Sequence, residues 1–331
     1  MPRQILITGN RSGATVTSKS LLLMLALAAL VVASLIVYGD FGETFRQLSG
    51  FPLKHLLASL ALALLNYFFR FARWGYYLKV LGIKIPLSSS SLVFLSGLAM
   101  SITPGKMGEV LKSHLLRDRT GVPVSISLPV VVMERITDLV AVVATGLVGV
   151  ALLPVPVLIT LLVVLAVCGV ALLVLAPNYS QRLVDIPLLR RWKIELLNSQ
   201  QSLRLLVSPR IMLGAVILGT VAWCSEGVAL WVILRGLGES LDMQKVLPIY
   251  AAATMVGAIT TLPGGLGGTE VGMVSLLQQN GLPRNAASAG TLLVRVVTLF
   301  FAAILGLVAL LFVKRMKATG QTETPTLSVN R

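Results

Sequence analysis

Residues 102–112 read ITPGKMGEVLK and residues 261–273 read TLPGGLGGTEVGM, two copies of one proline-glycine break, the second longer by two residues. The likeness extends outward from both. Glu109 stands 26 positions before Arg135, and Glu270 stands 25 before Arg295. Upstream, Trp74 stands eight residues before Gly82, and Trp231 seven before Gly238. Self-similarity on this scale decides the architecture and is read before anything local.

Crossing a hydrocarbon core about 30 Å thick takes about 17–25 apolar residues. Six segments qualify: 21–38, 55–78, 124–152, 157–176, 211–234 and 287–313. Two further apolar stretches, 87–103 and 246–262, end in TPG (103–105) and LPGG (262–265), and short helical pieces follow at about 107–118 and 269–280. Proline and glycine end one helix and start another there, so these stretches are expected to enter the membrane and return to the side they left. The expected fold is an all-α polytopic membrane protein with about six full spans and two re-entrant helical hairpins. Three spans per unit is an odd number, so the second unit (about 157–313) should enter the bilayer upside down relative to the first (about 21–152), the inverted repeat of many transporters. A duplication that serves packing alone gives the same pattern.

Composition agrees with a membrane chain. Of 331 residues 56% are hydrophobic and 12% charged, half the roughly 25% charged residues of soluble domains, which argues against a soluble enzyme. Basic residues outnumber acids 28 to 13, a net charge of +15, but they punctuate apolar runs singly instead of clustering on a polar surface. That pattern encodes topology, not nucleic-acid binding. The amino-terminal segment 1–20 (Arg3, Arg11, Lys19), the 177–210 loop (Arg182, Arg190, Arg191, Lys193, Arg204, Arg210) and the tail 314–331 (Lys314, Arg315, Lys317) are expected to be cytoplasmic. The first run is longer than a signal-peptide core and no A-x-A site follows, so it reads as a retained helix. The 177–210 loop also carries Trp192, Leu188, Leu189, Leu196 and Leu197; it reads either as a helix lying on an anionic leaflet or as a solvated basic linker.

Chemistry is expected where charges are costly. A lone charge at the bilayer centre costs about 2.5–3.5 kcal/mol on insertion scales, yet Glu109, Glu134, Arg135, Asp138, Glu226, Glu270 and Arg295 fall in or beside apolar segments. Glu109 with Arg135 and Glu270 with Arg295 are the natural pairs, within or across units. On 124–152, Glu134, Arg135 and Asp138 share roughly one face by their three- and four-residue spacing. Such charges form either a structural ion-pair lattice or the lining of a polar path. The break residues Pro104, Gly105 and Gly108, and Pro263, Gly264, Gly265, Gly267 and Gly268, place a new helix amino terminus inside the protein, where anions bind, and the glycines allow close backbone approach. Arg70 and Arg73, near the cytoplasmic end of the second span, either snorkel to lipid phosphates or form an entrance for an anionic headgroup. Cys168 and Cys224 read as small core residues, and His55 and His114 are isolated, so no disulfide, metal site or cofactor is expected. GGLGG lacks the strand and lysine of a nucleotide loop.

The strings NYFFRFARWGYYLKVLG (66–82), PGKMGEVLK (104–112), ERITD (134–138) and LPGGLGGTE (262–270), with Arg295 beyond, together resemble the membrane domain of the lysylphosphatidylglycerol synthase family over about residues 20–315. The resemblance implies a bacterial or archaeal inner-membrane protein that moves lipids between leaflets. In the full-length synthases a soluble carboxy-terminal domain makes the aminoacylated lipid. Only 18 residues follow residue 313 here, so that transferase activity is not carried over. The resulting expectation is a flippase or scramblase for a phospholipid or lipid-linked headgroup, zwitterionic or anionic. Arg135 and Arg295 would neutralise phosphate. Glu109 and Glu270 would hold those arginines when the path is empty and receive amines when it is loaded. Arg70 and Arg73 would gather headgroups, and Glu134, Asp138 and Glu226 would complete the path. The competing readings are a membrane-embedded lipid-phosphate enzyme, disfavoured by the lack of a nucleophile–base pair, and an accessory subunit of a separately encoded lipid-modifying enzyme.

Overall fold

The computed structural model describes residues 29–102, 109–148 and 193–318, with scattered positions between 155 and 170. Among the described residues every regular element is helical. The first expected span appears from α1 (Ala29–Tyr38), and α2 (Phe41–Ser49) follows it. The second is α3 (Leu53–Val80). The first hairpin consists of α4 (Leu87–Leu98), a 3-10 turn (Ala99–Ile102) and α5 (Leu111–Thr120). Next come α6 (Val124–Gly146), the loop helix α7 (Lys193–Leu206) and α8 (Pro209–Gly236). The second hairpin consists of α9 (Met243–Ile259), a 3-10 turn (Pro263–Gly265) and α10 (Gly268–Gln279). Then α11 (Arg284–Arg295), a π-helical turn (Val296–Phe300) and α12 (Phe301–Ala318) end the described chain. The hairpin tip residues Pro104, Gly105 and Gly108 and most of the 157–176 run lie outside the described residues.

Among the described residues three helical stretches are long and apolar enough to cross a membrane: Leu53–Val80, Pro209–Gly236 and Arg284–Val313. Helix α6, with 23 residues, reaches about 35 Å at 1.5 Å per residue but carries Glu134, Arg135 and Asp138. Its regular α-helix ends at Gly146, and residues 149–152 of the expected span lie outside the described residues. The hairpin helices are short. At 12, 10, 17 and 12 residues, each spans about 15–26 Å, less than the hydrocarbon thickness.

Helix α3 shows how such a chain packs. Its buried stripe carries the polar residues Ser59, Asn66, Tyr67, Arg70, Arg73 and Tyr77 beside Ala63, Trp74 and Leu78, whereas Leu53, Leu57, Leu64 and Phe68 are exposed. This is the reverse of a soluble amphipathic helix and suits an apolar solvent. The stripe lies against α8, where Asn66 donates to the Ala222 carbonyl at 2.8 Å. Around this central pair the hairpins exchange partners: α4 packs on α12, α9 packs on α6, and the turn at Ala99–Ile102 touches the turn at Pro263–Gly265. Gly306 on α12 makes the first of these contacts possible, since a Cβ there would come within 2.0 Å of the Ala99 backbone nitrogen.

Two peripheral helices complete the fold. Helix α7 packs on α6, so this part of the basic loop is not a solvated linker: Gln200 and Leu206 are buried while Ile194, Leu197 and Leu205 are exposed. Pro129 in α6 has no N–H to give the Ser125 carbonyl one turn back, and the Ser199 hydroxyl of α7 donates to that carbonyl at 2.8 Å. Helix α2 was not anticipated. It is capped by the Asp40 carboxylate, which accepts from the N–H groups of Gly42 and Glu43 at 3.1 and 3.3 Å. It packs on α11 and exposes Phe41 and Phe45, stacked 6.2 Å apart.

Candidate functional site

The charged residues converge beside the meeting point of the two 3-10 turns. In the first unit, Arg135 of α6 lies 3.0 Å from Glu109, two residues before the start of α5, and 2.9 Å from Asp138 one turn along its own helix. Asp138 is also approached from α3 by Arg73 at 2.5 Å and Arg70 at 3.6 Å, and from α8 by the Trp223 indole N–H at 3.3 Å. Glu134 turns to the other side of α6 and pairs with Lys112 of α5, which also lies 3.5 Å from Glu109. Every one of these acids is at most 4% exposed. A carboxylate buried to this extent needs compensating charge nearby, and arginines and a lysine of the surrounding helices supply it.

In the second unit, Arg295 at the end of α11 lies 2.5 Å from Glu270 of α10 through Nε, and its Nη2 donates to the Gly264 carbonyl at 2.6 Å. The second oxygen of Glu270 accepts from the Gly267 N–H at 2.6 Å. The amino terminus of α10, expected as an anion site, therefore already holds an anion of its own chain. The break it anchors needs glycine: Gly264, Gly265 and Gly267 have φ of +62°, +68° and +86°, a region open to few other residues. Glu226 of α8 accepts from the Tyr250 hydroxyl of α9 at 2.5 Å.

Between the units lies a cavity of about 390 Å³. Of the expected path residues, Arg70, Arg135, Asp138, Glu226 and Arg295 line it, together with Gly264 and Gly265 of the second break. Glu109 and Glu270 sit behind Arg135 and Arg295, and Glu134 and Arg73 lie deeper still. The reading of Arg70 and Arg73 as a pair that snorkels to lipid phosphates does not fit their burial, whereas Arg70 lines the cavity. Arg73 is fully buried and Arg70 is 9% exposed. Their guanidinium groups turn inward to Asp138, because a buried carboxylate is a better partner than a distant interface. Gly219 of α8 leaves the room for this, since a Cβ there would approach Arg73 Nη1 to 2.8 Å.

Four contributors escaped the sequence reading. Lys112 is buried, with its Nζ 5.1 Å from the Trp74 ring centroid. Its register three residues after Glu109 was the available signal. Tyr67 donates to the Thr298 carbonyl at 2.6 Å, within the π-helical turn that follows Arg295. Tyr250 and Trp223 bind the acids directly, and neither stands out among the aromatics of an apolar chain. No group of three or more potential metal ligands occurs among the described residues.

Comparison with known proteins places this geometry in a family. Residues 21–306 match the family model of the lysylphosphatidylglycerol synthase TM region. UPF0104 membrane protein MJ1595 of Methanocaldococcus jannaschii is 21% identical, with 88% of this chain and 95% of that protein covered. A second protein of that organism, UPF0104 membrane protein MJ1078, is 24% identical over 65% of this chain and 94% of its own length. A UPF0104 membrane protein of Methanothermobacter thermautotrophicus is 30% identical over 27% of each chain.

Proposed function

This chain belongs to the lysylphosphatidylglycerol synthase TM-region family of membrane proteins, and from that premise we propose that it is a flippase or scramblase moving a phospholipid or lipid-linked headgroup between leaflets. The observation that carries the reading is the charged cavity set where two broken hairpins meet, inside a bundle of membrane-length helices. A headgroup phosphate loses its hydration in the hydrocarbon core at a cost of several kcal/mol or more. Guanidinium groups fixed in a cavity replace that hydration while the acyl chains stay in lipid. Arg135 and Arg295 meet the phosphate, and Glu109 and Glu270 hold them in place in the empty state. Asp138, paired with Arg70, Arg73 and Arg135, and Glu226 complete the wall, with Glu134 and Lys112 bracing it from behind.

The exchange of partners, α4 with α12 and α9 with α6, supports an inverted repeat of about six spans and two re-entrant hairpins. Alternating exposure of the two breaks then gives access to each leaflet in turn. The proposed location is a bacterial or archaeal inner membrane with both termini cytoplasmic. The Ser199–Ser125 bond supports this sidedness, because it puts the basic loop helix beside the start of α6.

Reconstitution in liposomes with tail-labelled fluorescent phospholipids tests the reading. Wild-type protein should equilibrate the label between leaflets, and Glu270→Gln and Arg295→Ala should abolish that movement in folded protein. Unchanged rates in both variants would remove the path from consideration, and release of headgroup into solution would replace it with the lipid-phosphate enzyme.

A further inference from the structure

The cavity wall is unequal in what it offers to a headgroup. Three guanidinium groups face it, Arg70, Arg135 and Arg295, against two carboxylates, Asp138 and Glu226. Both oxygens of Asp138 already face donors or cations of the protein: Oδ1 accepts from Arg73 and the Trp223 indole, and Oδ2 lies 2.9 Å from Arg135 and 3.6 Å from Arg70. Glu226 receives the Tyr250 hydroxyl. Glu109 and Glu270 stand behind the wall, engaged by the two arginines in front of them. An ammonium group approaching Asp138 therefore meets three guanidinium groups, those of Arg70, Arg73 and Arg135.

The cationic side is different. A guanidinium carries five N–H donors in a planar fork suited to phosphate. Arg135 pairs with both of its acids through Nη2, and Arg295 uses Nε and Nη2. Each keeps donor capacity for a phosphate oxygen without giving up its partner.

Resting on the translocation reading above, we infer that this cavity takes an anionic, phosphate-bearing lipid headgroup without an amine. It disfavours zwitterionic headgroups and, most strongly, the cationic aminoacylated headgroup that the family name carries. The cargo is thus set apart by charge from a lysylated lipid.

Native mass spectrometry on the full chain in detergent, with equimolar phosphatidylglycerol, phosphatidylethanolamine and lysylphosphatidylglycerol, reads the preference. Phosphatidylglycerol should be bound at least tenfold over the lysylated lipid. Arg135→Gln and Arg295→Gln should bring that ratio toward one. Arg295→Lys, which keeps the charge and the pairing with Glu270, guards against a folding artefact and should retain most of the preference. Equal or stronger binding of the lysylated or zwitterionic lipid to wild type would overturn the inference. The same three lipids, tail-labelled in proteoliposomes, separate it from the reading beneath it. Preference in binding with no movement of any lipid would sink translocation and leave the headgroup assignment standing. Movement of all three at one rate, with equal binding, would sink the assignment and leave translocation standing.

Discussion

The two acid–arginine pairs of the repeat have similar sequence spacing and different surroundings. Around Glu109 and Arg135 the partners are side chains from three helices: Arg70 and Arg73 of α3, Lys112 of α5 and Asp138 of α6. Around Glu270 and Arg295 the partners are backbone groups of the break itself, the Gly267 N–H and the Gly264 carbonyl. The first pair is tied into the helix packing, so moving it means separating helices. The second fixes a glycine-rich turn, so releasing it affects a segment of a few residues. One sequence pattern thus serves as a brace on one side of the cavity and as a latch on the other. Local elements of this latch kind are drawn from the low-stability end of a structure, where functional motion occurs.

The sharpest break in this contrast is Asp138→Asn. It keeps the shape and removes the charge that Arg70, Arg73 and Arg135 share, leaving buried cations uncompensated. A loss of about 3–5 kcal/mol is expected, read as a large fall in thermal unfolding temperature in detergent together with poor yield. Lys112→Met comes next, at about 3 kcal/mol, because Glu134 loses its partner in a site 1% exposed. Adding Glu134→Gln to it should recover part of that loss, so the double variant is more stable than the single one. Two additive losses would mean that the pair is not coupled. Glu270→Gln should cost only about 1–3 kcal/mol, since Gln still accepts from the Gly267 N–H, yet it should reduce lipid translocation more than tenfold. A brace variant and a latch variant then differ in kind: one loses the fold, the other the movement. Translocation unchanged in folded Glu270→Gln would erase the contrast.

Much of this arrangement was legible in the sequence, for a physical reason. Charges in an apolar chain are too costly to leave unmatched, so the spacing of Glu109 to Arg135 and Glu270 to Arg295 identified pairs that the fold brings together. Proline and glycine marked the second break to within a residue, because few other residues adopt φ near +60° to +90°. What spacing could not supply was direction. Arg70 and Arg73 face inward, a choice made by the position of α6 and the space at Gly219, neither of which is a property of α3. Glu134 departs from its neighbours for a similar reason: a helical face of charges divides according to what packs on each side, and Lys112 lies on one side only. Helix α2 was missed because its nine residues are too few to read as a membrane span, while its Asp40 cap and its packing on α11 hold it.

The smallest expected effect tests whether the brace extends to the periphery. Ser199 donates to the carbonyl that Pro129 leaves without a helical partner, so α7 is joined to α6 at a defect in the α6 hydrogen-bond ladder. Ser199→Ala should cost about 1 kcal/mol, read as faster amide exchange in α7 with no change in the cavity. Pro129→Ala restores an N–H that can reach the Ser125 carbonyl within α6, and in that background Ser199→Ala should lose part of its effect. The non-additivity, more than either single value, carries the test. A proline retained in a helix needs another group to satisfy the carbonyl it abandons, and here that group comes from the basic loop, which ties the loop's helix to the same span that holds Arg135 and Asp138. Full additivity of the two substitutions would mean that α7 is held by apolar packing alone and that the brace ends at α6.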